Sequence, residues 1–520
     1  MATATAPVVP RGRGEAALDR SFFGHPRGLS TLFFSEMWER FSYYGMRAFL
    51  LLYMTAPIAM GGMGLDAATA GPIYGTYTSM VYLSNLPGGW IADRLIGQRR
   101  AVLIGGILIA AGHFSLAVPI AATFYLGLVL IVFGTGLLKP NISVMVGQLY
   151  SERDIRRDAG FSLFYMGINT GAFVGPLIAG FLAQDPRFRA ILTGWGMDPN
   201  SAWHWGFGSA GVGMTIGLIQ YIIGGHALGT AGLETTAPES PEGARRIRRQ
   251  AIFGLGGGIL LLVILAIGIA TGRLPITVQQ VTNAYSYLLL AVVVLFFVWL
   301  FATGTWTPAD RKRLYLIGVF FIAAALFWSV FEQAGSTLNL FAERSTNNVL
   351  PGYGLFPASW WQAVNAILIV AFAPVFAWLW VKLGDRQPSS PAKFAVGLVG
   401  VGLGFLILVP AAQTAATGVK VGVSWLFFVY LVHTLAELCL SPVGLSSMTK
   451  LAPARIVSLM MGVWFLATSV GNFLGGQAAS FYETMPLARL LTSVAVLPIL
   501  AGVLMFLFRK PLTRLMGGVS

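Results

Sequence analysis

Ser35-Glu36-Met37-Trp38-Glu39-Arg40-Phe41-Ser42-Tyr43-Tyr44-Gly45-Met46-Arg47 lies inside the first long apolar segment, near residues 31–53. A run of that length crosses a bilayer as a helix. Two carboxylates and two guanidiniums at membrane depth are costly, so they must face protein or a wet cavity rather than lipid. Glu36, Arg40, Tyr43, Tyr44 and Arg47 recur at three or four residues and share one helix face, with Glu39 beside Arg40. A charged stripe through a membrane is built to meet something charged. The competing reading is a buried ion-pair network that only fixes helix packing.

The rest of the chain gives that stripe its setting. Mean hydropathy is +0.72, 56% of residues are hydrophobic and only 10% are charged. With 520 residues and apolar runs of helix-spanning length throughout, the chain is expected to be an all-α, polytopic membrane protein. The net charge of +14 follows loop position: read from a cytoplasmic N-terminus, 25 of the 34 Lys and Arg fall in inside segments. That is the positive-inside bias, and it predicts both termini in the cytoplasm. The charge therefore reports topology and implies no nucleic-acid partner. A single cysteine, Cys439, excludes an internal disulfide. Residues 1–30 carry Arg and Pro without an apolar core, so no cleavable signal peptide is expected there.

The apolar runs predict spans near 31–53, 70–93, 100–118, 123–148, 159–182 and 206–229, a six-helix set within 31–229. A basic linker, 230–250, follows. Two almost wholly apolar spans near 251–271 and 284–303 occupy the insert 251–310, and read as lipid-facing packing helices. Six more, near 313–342, 358–382, 393–411, 422–449, 456–481 and 486–508, form a second set within 311–509, with a tail at 510–520. Equal sets on either side predict two halves that rock about a central cavity.

Sorting ionisable side chains by depth leaves Glu36, Glu39, Arg40, Arg47 and Lys139 in the first half and Glu332 and Glu437 in the second, with His113 and His433 also at depth. A cationic wall and an anionic one suit a ligand with a negative and a positive end, such as a zwitterionic peptide or amino acid. Each position has polar or aromatic company at helical spacing: Trp328 with Glu332, Tyr165 with Asn169, Gln362 with Asn365, and Glu437 ahead of Ser441-Pro442. A proline inside a span frees a carbonyl and permits bending. Trp464 adds an aromatic. His433 reads as a satisfied structural histidine, and His113 receives no role.

Glu36-x-x-Glu39-Arg40-Phe41-x-Tyr43-Tyr44-Gly45 resembles the first-helix signature of the proton-dependent oligopeptide transporter (POT/PTR) family of the major facilitator superfamily. Phe164–Gly171 resembles the second signature, with Ala172 where a serine is common. Gly89–Arg100 resembles the superfamily's loop signature, with one extra residue between Arg94 and Gly97. The inserted pair is similar to that of bacterial members. Animal members carry a histidine after a tyrosine on the second helix, whereas Gly75 follows Tyr74 here, which moves proton handling onto carboxylates. The resemblance implies twelve core helices in a major facilitator fold, an inner-membrane location and no cofactor beyond protons. It further implies that Arg40 and Lys139, helped by Tyr43 and Tyr82, hold a peptide carboxylate. Glu437, Asn365 and Asn169 would then face the ammonium, with Tyr43, Trp328 and Trp464 setting side-chain selectivity.

The expected activity is therefore proton-coupled import of di- and tripeptides by a transporter acting as a monomer. An Arg47–Glu332 pair would close the outer mouth and a Lys139–Glu437 pair the inner one. Glu332 is the first proton-coupling residue, followed by Glu36 and Glu39 beside Arg40. Rivals on the same fold are transport of an amino acid or nitrate, or a peptide sensor that does not transport. An enzyme is not expected, because the sequence offers no phosphate loop, metal-ligand cluster or nucleophile with a base.

Overall fold

The computed structural model describes residues 19–151, 154–233, 235, 240–258, 273–302, 304, 306–453 and 456–516. Among these, eleven helices are long and apolar enough to cross a membrane. The first helix, α1 (Arg27–Thr55), runs 29 residues, and its buried ions lower its hydropathy. The second runs as α2 (Ala67–Leu83), breaks at Ser84 and resumes as α3 (Asn85–Ile91). α4 (Gln98–Leu116), α5 (Ala121–Gln148), α6 (Arg157–Gln184), a short α7 (Pro186–Gly194) and α8 (Ala202–Gly224) complete the first set. α9 (Pro241–Gln250) lies in the basic linker. The expected span at 251–271 falls largely outside the described residues. The second inserted span is α10 (Val278–Ala302).

The second set holds α11 (Pro308–Phe331), α12 (Thr337–Ser345), α13 (Trp361–Leu383), α14 (Ser390–Ala415), α15 (Ser424–Leu451), α16 (Val457–Ala479), α17 (Leu487–Leu507) and a basic α18 (Arg509–Leu515). The span expected near 313–342 falls within the apolar stretch Pro308–Ser345, whose helix is interrupted after Phe331. A 3₁₀ turn, Glu332–Gly335, and Ser336 at φ −126°, ψ −92° separate α11 from α12. The break coincides with Glu332, one of the ions singled out by depth. A two-residue hairpin, Val349–Leu350 against Gly354–Leu355, joins α12 to α13.

Contacts group the chain into two units. One comprises Met1–Gly45, Ser84–Gly175 and Phe207–Thr236; the other comprises Met46–Leu83, Pro176–Gly206 and Ala237–Ser520. In the first unit, small residues bring helices together at backbone distance, as is usual within membranes. Gly167, Gly171 and Gly175 recur every four residues on α6 and face α1. A Cβ at Gly171 would lie 2.8 Å from the Phe41 nitrogen and 2.9 Å from the Arg40 Cβ. On α8, a Cβ at Gly217 would meet the Trp38 Cβ at 2.8 Å. α1 is thus gripped along two faces by glycine-lined helices. The loop signature also finds its explanation in this unit. Ala92–Ile96 forms a π turn in which the Gly97 N–H donates to the Ala92 carbonyl at 2.9 Å. A π turn absorbs one extra residue without ending the helix, which accounts for the insertion before Gly97. Arg99 then donates from Nε to the Ala231 carbonyl and from Nη2 to the Gly229 carbonyl, both at 2.6 Å.

In the second unit, α2 and α16 also meet through glycine. A Cβ at Gly75 would lie 2.7 Å from the Gly476 Cα, and one at Gly71 2.9 Å from the Ser480 nitrogen. Substituting Gly171 by leucine forces α6 off α1 and should cost about 1–3 kcal/mol. Thermal unfolding in detergent checks this, with Gly194→Ala, where an added Cβ meets nothing within 4 Å, expected to melt like wild type.

Candidate functional site

In the first unit, α1 assembles the stripe that its spacing predicts. Arg40 Nε lies 3.1 Å from Glu36 Oε1, and Arg40 also pairs with Glu39. Glu36 and Arg40 are each 2% exposed and Glu39 is 0% exposed. The Arg40 guanidinium sits 5.5 Å from the Tyr43 ring centre and 6.0 Å from that of Tyr44. The cation therefore has carboxylates on one side and aromatic faces on the other, which draw it further. Lys139, half-buried on α5, is near enough to Glu36 for their charges to interact. Glu36 Oε2 and Glu39 Oε1 lack hydrogen-bond partners among the described residues. Two carboxylates and two cations thus form one charge-balanced set, buried except at Lys139. Asn169, on α6, is buried and donates to the Tyr165 carbonyl at 3.0 Å; the Tyr165 ring itself is 48% exposed.

The second unit holds the other half of the stripe. Arg47 and Glu332 form a buried ion pair, as their residue types and depth predict. Arg47 Nε donates to the Tyr74 hydroxyl at 2.7 Å. Tyr74 was legible as a neighbour of Gly75 but not as a holder of Arg47, because its register to α1 is a tertiary fact. The helix break that presents Glu332 is itself supported. Gln362 donates to the Ala334 carbonyl, and Thr337 Oγ1 donates to Gln333 Oε1 at 2.7 Å. The first bond satisfies a backbone carbonyl that an unbroken helix would have paired internally, and the second ties the side chains that flank the break.

Glu437, on α15, accepts from Asn365 Nδ2 at 3.1 Å, and the same Asn365 nitrogen reaches Thr434 Oγ1 at 3.0 Å. Glu437 makes no ion pair among the described residues, so Asn365 orients its carboxyl group without a cation beside it. Trp328 and Trp464 meet edge to face with ring centres 6.4 Å apart, and Trp328 Nε1 has no acceptor among the described residues. Tyr82 lies against Phe465, with ring centres 6.4 Å apart. Ser441 is half-buried on α15, one residue before Pro442. The anticipated partners Lys139 and Glu437 belong to different units. His433 is structural: its Nε2–H donates to the Val401 carbonyl at 3.0 Å and its ring stacks on Phe405. His113, in the first unit, is fully buried, and neither ring nitrogen has a partner among the described residues.

α10 also carries one polar contact: the Tyr285 hydroxyl lies 2.7 Å from Ser79 Oγ, which lies 2.8 Å from Ser469 Oγ. All three are at most 5% exposed. Most of α10 does face outward, but these three hydroxyls tie it to the seam between α2 and α16. An apolar window average hides one tyrosine, which is why composition missed it. Tyr285→Phe should lower stability by about 0.6–2 kcal/mol, whereas Tyr287→Phe, at a position 73% exposed, should not. Denaturation of the purified protein reads the difference.

Comparison with known proteins identifies this arrangement. The family model described as POT family matches residues 99–494. The peptide transporter YePEPT of Yersinia enterocolitica is 42% identical over 520 residues, covering 96% of this chain and 97% of its own. A di-/tripeptide transporter of Lactococcus lactis is 36% identical over 511 residues, covering 96% and 98%. The crystal structure of peptide transporter POT in complex with sulfate aligns with a TM-score of 0.87 at 40% identity, covering 97% of this chain and 99% of that one. A POT family transporter in complex with 5-aminolevulinic acid aligns at 0.85 and 33% identity, covering 96% and 99%. The fold is the all-α major facilitator fold, and the chain belongs to the POT family of membrane transporters.

Proposed function

We propose that the chain imports di- and tripeptides together with protons by alternating access. The observation that carries the reading is a pair of opposite charges set to exchange partners. Glu437 is oriented by Asn365 and makes no ion pair among the described residues, and Arg40 presents a guanidinium shared between two carboxylates. A peptide supplies a cation for the first and a carboxylate that competes for the second. Its ammonium completes Glu437, with Asn365, Asn169 and Ser441 nearby in role. Its carboxylate takes the planar fork of Arg40 and the Lys139 ammonium, helped by Tyr43 and Tyr82. Tyr165, Trp328 and Trp464 supply apolar and aromatic walls that accept many side chains. The names of the peptide-transporting relatives support the same cargo, and the ligand of the 5-aminolevulinic acid complex likewise carries an amine and a carboxylate.

Proton coupling follows from charge balance. Glu36, Glu39, Arg40 and Lys139 sum to zero. A peptide carboxylate arriving among them adds one negative charge, and an uncompensated buried carboxylate costs several kcal/mol. A proton on Glu36 or Glu39 restores neutrality. Arg47–Glu332 is, on this reading, the outer gate in its closed form, and Lys139–Glu437 the inner one. Neutralising one member of a buried pair costs about 3–5 kcal/mol, enough to switch two states that differ by a few kcal/mol. The driving force is comparable: about 2.3 kcal/mol per charge per 100 mV and about 1.4 kcal/mol per pH unit. The six-helix bundles 31–229 and 311–509 are the rocking elements, both termini are cytoplasmic, and the protein works as a monomer in the inner membrane without a cofactor.

Uptake of a labelled dipeptide into proteoliposomes under an imposed inward proton gradient tests the reading. Wild type should accumulate the dipeptide above equilibrium. Glu332→Gln should abolish that accumulation while sparing counterflow; accumulation by the variant would assign coupling to another carboxylate. Glu437→Gln removes a charge-assisted contact and should raise KM about tenfold or more, with the free amino group of the peptide as the determinant. An N-acetylated dipeptide should lose its disadvantage in that variant.

A further inference from the structure

We propose that an anionic phospholipid occupies a groove between α14 and α17, its acyl chain along the groove and its headgroup on Arg509 and Lys510. The groove is open along one side and offers about 370 Å³, and every residue that lines it is apolar, among them Val396, Val399, Gly400, Leu403, Val503 and Phe506. That volume lies in the range of small-molecule sites. Behind it the two helices are tightly closed. A Cβ at Gly502 would lie 2.8 Å from the Ala395 carbonyl, and one at Gly402 2.7 Å from that of Ala495. The opening is on the outer face: Val396 is 49% exposed, Leu403 46% and Val503 44%. Side chains exposed on that face of a membrane span meet hydrocarbon, so the natural filling is a lipid chain.

The position of the groove limits which lipid. α14 begins at Ser390 and α17 ends at Leu507, so the lining takes the first half of α14 and the last turn of α17. From Val396 to Leu403 the helix rises about 10 Å, which fits within one leaflet of a hydrocarbon core of about 30 Å. At that end the chain turns into α18, which carries Arg509, Lys510 and Arg514. Arg509 is seated on the groove itself. Its guanidinium lies 4.1 Å from the ring centre of Phe506, a lining residue, and its Nη1 donates to the Phe506 carbonyl at 2.8 Å. That bond uses one of five N–H donors. Lys510 beside it is exposed. Any acyl chain fills an apolar groove, but a guanidinium on its lining with a lysine as the next residue selects a phosphate without a compensating ammonium.

The test equilibrates the purified full-length protein with equimolar phosphatidylglycerol and phosphatidylethanolamine and counts retained lipids by native mass spectrometry. Wild type should retain phosphatidylglycerol preferentially. Arg509→Gln and Lys510→Gln should each lower that preference about fivefold, and Lys382→Gln, whose ammonium lies over Trp378, should leave it unchanged. Leu403→Trp fills the groove and should reduce retention of both lipids; Val503→Trp serves if that variant does not fold. Three outcomes overturn the proposal: a preference that survives loss of both cations, filled-groove variants that retain lipid as wild type does, and a second copy of the chain found on this face in place of lipid. Retention is read with no transport step, so it stands apart from the peptide reading.

Discussion

A guanidinium inside a hydrocarbon layer persists only beside a carboxylate, and this chain places two of them on one helix. The cost of an ion at that depth is several kcal/mol even when it is partly hydrated. Every feature of α1 answers that cost. Arg40 has Glu36 and Glu39, with Tyr43 and Tyr44 against its face; Arg47 has Glu332 and the Tyr74 hydroxyl. The glycines of α6 and α8 let neighbouring backbones close around the helix and keep lipid from its ions. Pairing makes the ions tolerable, and it also makes them switchable. A pair that is stable only when both partners are charged responds to a single proton or to a competing carboxylate.

The same constraint explains why regular structure fails where it does. α11 stops at Phe331, so that Glu332 is presented from a 3₁₀ turn rather than from a helix side, and Gln362 pairs the Ala334 carbonyl within the break. Irregular backbone at membrane depth is tolerated only where protein satisfies it. Glu437 illustrates the opposite arrangement. Asn365 and Thr434 form a polar setting that aims the carboxylate while leaving its charge for another partner.

Much of this was legible before any coordinates. Helical spacing and depth were enough to find Arg40, Arg47, Glu332 and Glu437, because ions are rare in apolar runs and each one stands out. The Arg47–Glu332 pair was an expectation of the gating scheme, since charge alone would have allowed Glu437 as well. The Glu332 break was not legible, since Gln333-Ala334-Gly335 lacks the proline that usually announces one. Tyr74 and the Ser79–Tyr285–Ser469 contact were hidden for a different reason. Hydroxyls cost little in a hydropathy sum, and their partners lie on helices remote in sequence. The extra residue before Gly97 was visible as a departure from pattern, and the π turn at Ala92–Ile96 supplies its physical meaning. Tyr165 shows the limit of spacing arguments: it neighbours Asn169 on the helix, but through its carbonyl rather than its ring.

The account rests on charge neutrality among buried groups, which obliges a proton to accompany each peptide carboxylate. Proteoliposomes loaded with a pH-sensitive dye, equilibrated without any gradient and then given external dipeptide, measure this directly. The interior should acidify as labelled peptide enters, and the acidification should be absent when the peptide is withheld. Entry of labelled peptide with no movement of protons would contradict it.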